Sequence, residues 1–206
     1  ELNREFDRRE IESDVRLPAG VQGLDTMLGG GVLARSVTLV SGSAGVGKTT
    51  LIEQVIPHLK TYPSLKVWVA GCSSGEELYS LAILFREEGL EEKTMFYATD
   101  INGAALAKAE AGVYDLQRLA LFTKNHRLSG GTGSLSEYYN AAYGAACFDK
   151  TLRRRTVFSD HSLASDSVFA ELHLVSCRNV LIYSDRPPQD PAAGLFKDAL
   201  VRKGFL

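Results

Sequence analysis

The chain is poor in several features at once, and each scarcity closes off a class of function. No apolar run approaches the roughly 20 residues needed to cross a bilayer, and the opening Glu1 to Glu10 is too polar for a secretory leader. A cytoplasmic protein without membrane insertion is therefore expected. Cysteine is confined to Cys72, Cys147 and Cys177, which are far apart and lack C-x-x-C spacing, so neither a disulfide framework nor a zinc site is indicated. His58, His126, His161 and His173 show no pairing at metal-ligand spacing. Positive charge is not in excess either. With 23 Lys and Arg against 25 Asp and Glu, and a pI near 6.1, the chain carries no electrostatic footprint for nucleic acid. The local cluster Arg153, Arg154 and Arg155 reads as a solvated strand edge.

What remains suits one compact α/β body. The 206 residues are 45% hydrophobic and 23% charged, an ordinary globular balance in a length that fits one domain with a real core. The stretch around which the rest is organised is Val67 to Glu77, Val-Trp-Val-Ala-Gly-Cys-Ser-Ser-Gly-Glu-Glu. It is an apolar strand that enters a glycine turn and then opens a helix. Gly71 and Gly75 permit a sharp turn and a close backbone approach, and the first amides of the helix face the same crevice. A plain strand-to-helix turn is the alternative for this loop alone.

A second glycine loop precedes it. Gly42-Ser-Ala-Gly45-Val-Gly47-Lys48-Thr49 matches G-x-x-x-x-G-K-[ST], after the β-branched run 36–41 and before an apolar helical pattern over 48–60. Such a loop offers its amides to phosphate oxygens, with Lys48 as a point charge, Thr49 as a magnesium ligand and Thr50 beside it. Residues 16–50 resemble the opening of the KaiC/RecA-like ATPases. That likeness implies ATP with magnesium as a ligand, but the chain lacks the later acids those enzymes use, so weak or absent turnover is expected.

Downstream, 78–87 reads as an amphipathic helix, 94–99 as a strand ending at Asp100-Ile101-Asn102, and 104–111 as a further helix. Strand, glycine loop, helix, strand and acid form the arrangement in which the acid receives ribose hydroxyls. Capping the next helix is a second role open to Asp100. Residues 113–150, rich in Tyr, Gly and Ser, break the alternation and read as an insertion that has room for short antiparallel strands. It serves either substrate docking or nothing beyond a surface excursion. Strands at 156–158 and 171–176 and a helix over 193–202 complete the pattern, before Gly204-Phe205-Leu206, which reads as the start of a further strand.

With these pieces placed, residues 54–206 resemble the catalytic domain of the CheR-type chemotaxis methyltransferases. The carriers are Ala70-Gly-Cys-Ser-Ser-Gly-Glu-Glu77, Tyr97-Ala-Thr-Asp-Ile-Asn102 and Ser176-Cys-Arg-Asn-Val-Leu-Ile-Tyr183. The resemblance implies S-adenosylmethionine as cofactor and the glutamate side chain of a chemoreceptor-like protein as substrate. It implies that Gly71, Cys72, Ser73 and Gly75 form the cofactor loop and that Glu76 lies beside the methionine portion. Asp100 and Ile101 would meet the ribose side, and Ser162 and Leu163 would flank the adenine. Arg178 and Tyr183 would line the methyl-transfer centre with Asn179 supporting the turn, a buried hydrogen-bonding role being the alternative for Arg178 and Tyr183. The chain departs from that family at Ser184 and Pro188, and an ATPase-like segment, residues 1–53, stands where a helical domain usually precedes.

The expected fold is thus a single doubly wound, mostly parallel Rossmann-like sheet with an N-terminal phosphate-loop βα unit. The resemblance implies strand order 3-2-1-4-5-7-6 with the last strands missing and activity weakened accordingly. Right-handed crossovers then send the strand 36–41 to the vacant edge beside 171–176.

Overall fold

The computed structural model describes residues 16–17, 32–33, 55–128, 131–163, 165–177 and 189–206. Two short strands, β1 (Arg16–Leu17) and β2 (Val32–Leu33), pair antiparallel. The main sheet contains β3 (Leu65–Ala70), β4 (Thr94–Asp100), β8 (Thr156–Asp160), β9 (Leu172–Cys177) and β10 (Leu200–Phe205), in the order β10-β9-β3-β4-β8. All four of its pairings are parallel. The doubly wound parallel sheet expected from the sequence is therefore what the chain forms.

Winding runs outward from β3 to β4 and β8, then returns to the other side of β3 for β9 and β10. The reversal lies between β3 and β9, and a doubly wound sheet binds its ligand outside the carboxyl ends of the strands at such a point. Because helices cover both faces, β3 is continuously apolar from Val67 to Ala70 rather than alternating, with Lys66 near its start the exception. Val67 and Val69 pack with α1 (Glu76–Glu87), while Trp68 and Ala70 pack with Leu172, Val175 and Phe196 on the other face. The Trp68 indole Nε1 donates to Thr99 Oγ1 at 2.8 Å with both residues buried, which ties β3 to β4 one residue before Asp100.

Two expectations change at the C-terminal side. The final helix, α4 (Gln189–Ala199), ends before residue 202, and the chain continues as β10 along β9. The place beside β9 that the sequence reading gave to 36–41 is thus occupied by β10, and 36–41 itself lies outside the described residues. The register of this edge is irregular, with Leu200 opposite Leu172 and Phe205 opposite Leu174. Gly204 sits where an added Cβ would lie 3.1 Å from the Leu172 carbonyl oxygen, so backbone contact rather than side-chain pattern makes this strand.

The insertion is a packed subdomain. After α2 (Gly103–Ala111) come β5 (Val113–Asp115), α3 (Leu119–Leu128), β6 (Tyr139–Ala142) and β7 (Ala145–Phe148), with the three strands in the order β5-β7-β6, antiparallel. Tyr114, Tyr138, Ala146 and Phe148 belong to the main core. Glu87, at the end of α1, holds the insertion's far side: its Oε1 accepts from the Tyr138 hydroxyl and pairs with His126 Nε2, each at 3.0 Å, and its Oε2 accepts the Thr132 amide at 3.2 Å. Burial pulls this carboxyl upward, but the bonds from Thr132, Tyr138 and His126 together outweigh it and leave its pKa lowered.

Candidate cofactor site

At the carboxyl end of β3 the backbone turns through three left-handed residues, Gly71 (φ 68), Ser73 (φ 49) and Gly75 (φ 90). Gly75 is required twice, since a Cβ there would lie 2.9 Å from Ala109 Cβ and 3.0 Å from its Cα, inside the packing between the loop and α2. The Cys72 amide donates to the Thr99 carbonyl at 2.8 Å and the Gly75 amide to the Cys72 carbonyl at 2.9 Å. These bonds seat the loop on the end of β4.

Asp100 stands at that same end. Its Oδ2 accepts the Ser73 amide at 2.8 Å and its Oδ1 accepts the Asn102 amide at 2.9 Å. The carboxylate is thereby fixed against the glycine loop while each oxygen keeps further acceptor capacity. The capping role weighed for Asp100 belongs to Asn102, whose Oδ1 accepts from the Ala104 and Ala105 amides. Ile101, next to the acid, is 78% exposed, an apolar side chain at the crevice rim.

The neighbouring strand brings the third predicted segment to the same place. Asp160 pairs with Asp100 in register, and the His161 amide donates to the Asp100 carbonyl at 3.4 Å. Ser162 and Leu163 follow directly. The Ser162 amide donates to Asp166 Oδ2 at 2.8 Å, and Leu163 packs against the Trp68 side of the core.

Cys72 enters the site through its backbone only. Its side chain is 4% exposed within the core, and burial, reinforced by the nearby Asp100 charge, pushes the thiol up to about 12. Cys177, at the end of β9, is likewise pushed up to about 12 by burial and then by Glu77. Both are protonated at neutral pH and are poor nucleophiles.

The helix that follows the loop presents two carboxylates. Glu77 Oε1 accepts from Ser176 Oγ on β9, a bond that spans the reversal point. Glu76 Oε2 accepts from Ser74 Oγ at 2.7 Å, and Glu76 Oε1 pairs with Arg118 Nη1 at 2.8 Å. The Tyr114 hydroxyl donates to the Ser74 carbonyl at 2.7 Å. Sequence reading missed Tyr114 and Arg118, and it placed Ser176 in a carrier motif without assigning it a contact. Tyr114 and Arg118 lie in the irregular insertion, some forty residues from their partners, and nothing local marks such a contact.

The described residues thus bring together Gly71, Ser73, Gly75, Glu76, Asp100, Ile101, Ser162 and Leu163. The set fits the cofactor inferred from the sequence: a tightly packed glycine turn, an acid held by two amides and an apolar rim. Arg178, Asn179 and Tyr183 lie outside the described residues, as do Gly42, Gly45, Gly47, Lys48, Thr49 and Thr50. Among the described residues no cluster of three or more His, Cys, Asp or Glu suits a metal, and no helix is long and apolar enough to cross a membrane.

Comparison with known proteins agrees with the geometry. The family model for the CheR methyltransferase SAM-binding domain matches residues 45–206, a range that begins inside the phosphate-loop motif. The comparisons give the ATP reading no support. A putative methyltransferase, Cher3, of Pseudomonas putida is 56% identical over 154 residues, covering 75% of this chain and 56% of that protein. A chemotaxis protein methyltransferase of Listeria innocua is 33% identical over 163 residues, covering 76% of this chain and 57% of its own length. Chemotaxis protein methyltransferase 2 of Pseudomonas aeruginosa is 36% identical over 139 residues, covering 64% and 47%. The chain spans about half the length of these curated relatives. With a family match over most of its length and an acid-anchored glycine loop at the reversal of its sheet, the chain belongs to the CheR methyltransferase family.

Proposed function

We propose that this chain carries the S-adenosylmethionine site of a methyltransferase that esterifies glutamate side chains of a chemoreceptor-like protein in the cytoplasm. The observation that carries the reading is the Asp100 carboxylate, locked to the Ser73 and Asn102 amides at the mouth of a left-handed glycine turn. In it Asp100 receives the ribose hydroxyls, Ile101 and Leu163 bound the base, and Glu76 takes the amino group of the methionine portion.

When bound, S-adenosylmethionine supplies an electrophilic methyl group on a sulfonium. A glutamate is already ionised at neutral pH, so the transfer asks the protein for alignment and exclusion of water rather than for a strong base. In this reading Tyr183 orients the incoming carboxylate and Arg178 holds a carboxylate or shapes the turn, with Asn179 supporting that turn. The folded insertion, 113–150, is the docking surface for the protein substrate. It is anchored to the cofactor loop through Tyr114, so a bound substrate is held in fixed relation to the site.

The test is transfer of radiolabelled methyl from S-adenosylmethionine to a chemoreceptor cytoplasmic fragment. The expected product is an alkali-labile ester that releases methanol and is absent when receptor glutamates are changed to alanine. Label that survives alkali, or that is found on glutamate-free fragments, would overturn the glutamate reading.

A further inference from the structure

Glu76 is engaged from two sides before any ligand arrives. Ser74 Oγ holds one carboxylate oxygen at 2.7 Å and Arg118 Nη1 holds the other at 2.8 Å. Arg118 comes from the insertion, at the end of a 3-10 turn over Leu116–Arg118 that Asp115 caps by accepting the Gln117 amide at 2.8 Å. Its guanidinium lies 5.2 Å from the centroid of the Phe122 ring, and Tyr114, four residues before it, is pinned to the Ser74 carbonyl. The base of Arg118 is therefore fixed beside the first turn of α1. Its side chain is 53% exposed against 28% for Glu76, and an ion pair so open to water adds little to folding. The two charges separate at small cost.

A free α-amino acid head carries an ammonium and a carboxylate on one carbon. A carboxylate and a guanidinium in direct contact present the complementary charges at matching separation, and the planar guanidinium suits a carboxylate in a way an ammonium does not. We propose that Arg118 receives the α-carboxylate of the cofactor's methionine portion while Glu76 receives its α-ammonium, so that the head inserts into the ion pair. The insertion then does more than dock substrate, because it contributes a cofactor-binding side chain across 42 residues of sequence. This inference rests on the S-adenosylmethionine reading above.

The test compares two ligands on the full chain by calorimetry: S-adenosylhomocysteine, which has the amino-acid head, and 5′-methylthioadenosine, which lacks it. Arg118→Ala is expected to weaken S-adenosylhomocysteine roughly five- to tenfold, the scale of one charged hydrogen bond at a partly exposed site, and methylthioadenosine less than about twofold. Arg118→Lys should recover part of the loss. An equal loss for both ligands would make Arg118 a structural residue, and unchanged or tighter binding of S-adenosylhomocysteine would show that it does not hold the carboxylate. Either result overturns the inference while leaving the cofactor reading intact. Failure of the unmodified chain to bind either ligand would overturn both.

Discussion

Gly75→Ala tests whether the loop is held by packing as tightly as its contacts imply. A left-handed backbone costs an alanine about 1–2 kcal/mol relative to glycine. The new methyl would also lie 2.9 Å from Ala109 Cβ, 3.0 Å from Ala109 Cα and 3.1 Å from the Tyr114 hydroxyl. Two of these three contacts belong to a helix and cannot swing away, so a crowding cost of about 1–3 kcal/mol applies. Together the substitution should destabilise by about 2–5 kcal/mol, a fall in Tm of roughly 4–20 °C for a domain of this size. Gly89→Ala is the internal control. Gly89 has φ 72 but nothing within 4 Å of the position its methyl would take, so only the backbone cost of about 1–2 kcal/mol remains. Urea denaturation of both variants reads the difference directly. Equal losses for Gly75→Ala and Gly89→Ala would refute the claim that α2 braces the loop.

Other outcomes follow from the buried groups. Glu87→Ala removes the acceptor of the Tyr138 hydroxyl and the Thr132 amide together with one contact of His126, and should cost about 2–3 kcal/mol. Hydrogen exchange should then rise across residues 131–139 while β3 and β4 stay protected. Cys72 and Cys177 are each raised from 9.0 to about 12, so folded and unfolded chains are both protonated at these thiols below pH 9. As pH rises from about 9 toward 12 the unfolded chain releases these protons first, and stability should fall by about 1.4 kcal/mol per pH unit per thiol. Cys72→Ala should flatten that slope, as measured by urea midpoints between pH 8 and 10.5. At pH 8 the native Cys72 peptide should resist iodoacetamide and the denatured one should react.

The legible part of the fold is the part dictated by local chemistry. The apolar run of β3, its glycines and the helical pattern after them signal strand, turn and helix without reference to any distant residue. Asp100 closes β4 because a charged residue ends an apolar run, and that sufficed to place it at the crevice. β10 was legible only as a strand beginning at Gly204, because Leu-Val-Arg-Lys-Gly-Phe has no clean alternation and its first residues extend the helical reading of 193–202; it is a strand through its pairing with β9, at a place where Gly204 lets backbones approach. Helix α3 was hidden inside a stretch read as an irregular insertion: its apolar face is short, with Leu119 buried and Phe122 packed against the core, while Leu121 and Leu128 are exposed. The sequence reading offered the cap to Asp100, and the Ala104 and Ala105 amides bound by Asn102 show that Asn102 takes it. Arg118 meets Glu76 only because the insertion folds back over the loop.

The most direct measurement is an equilibrium titration of the chain and of Asp100→Ala with S-adenosylhomocysteine. The proposed function predicts binding in the micromolar range by the unmodified chain and at least roughly a tenfold loss in the variant, because in it Asp100 is the charged acceptor for the ribose hydroxyls. Binding that is absent in the unmodified chain, or equally tight when Asp100 is alanine, would contradict the placement of the cofactor between the glycine loop and β4.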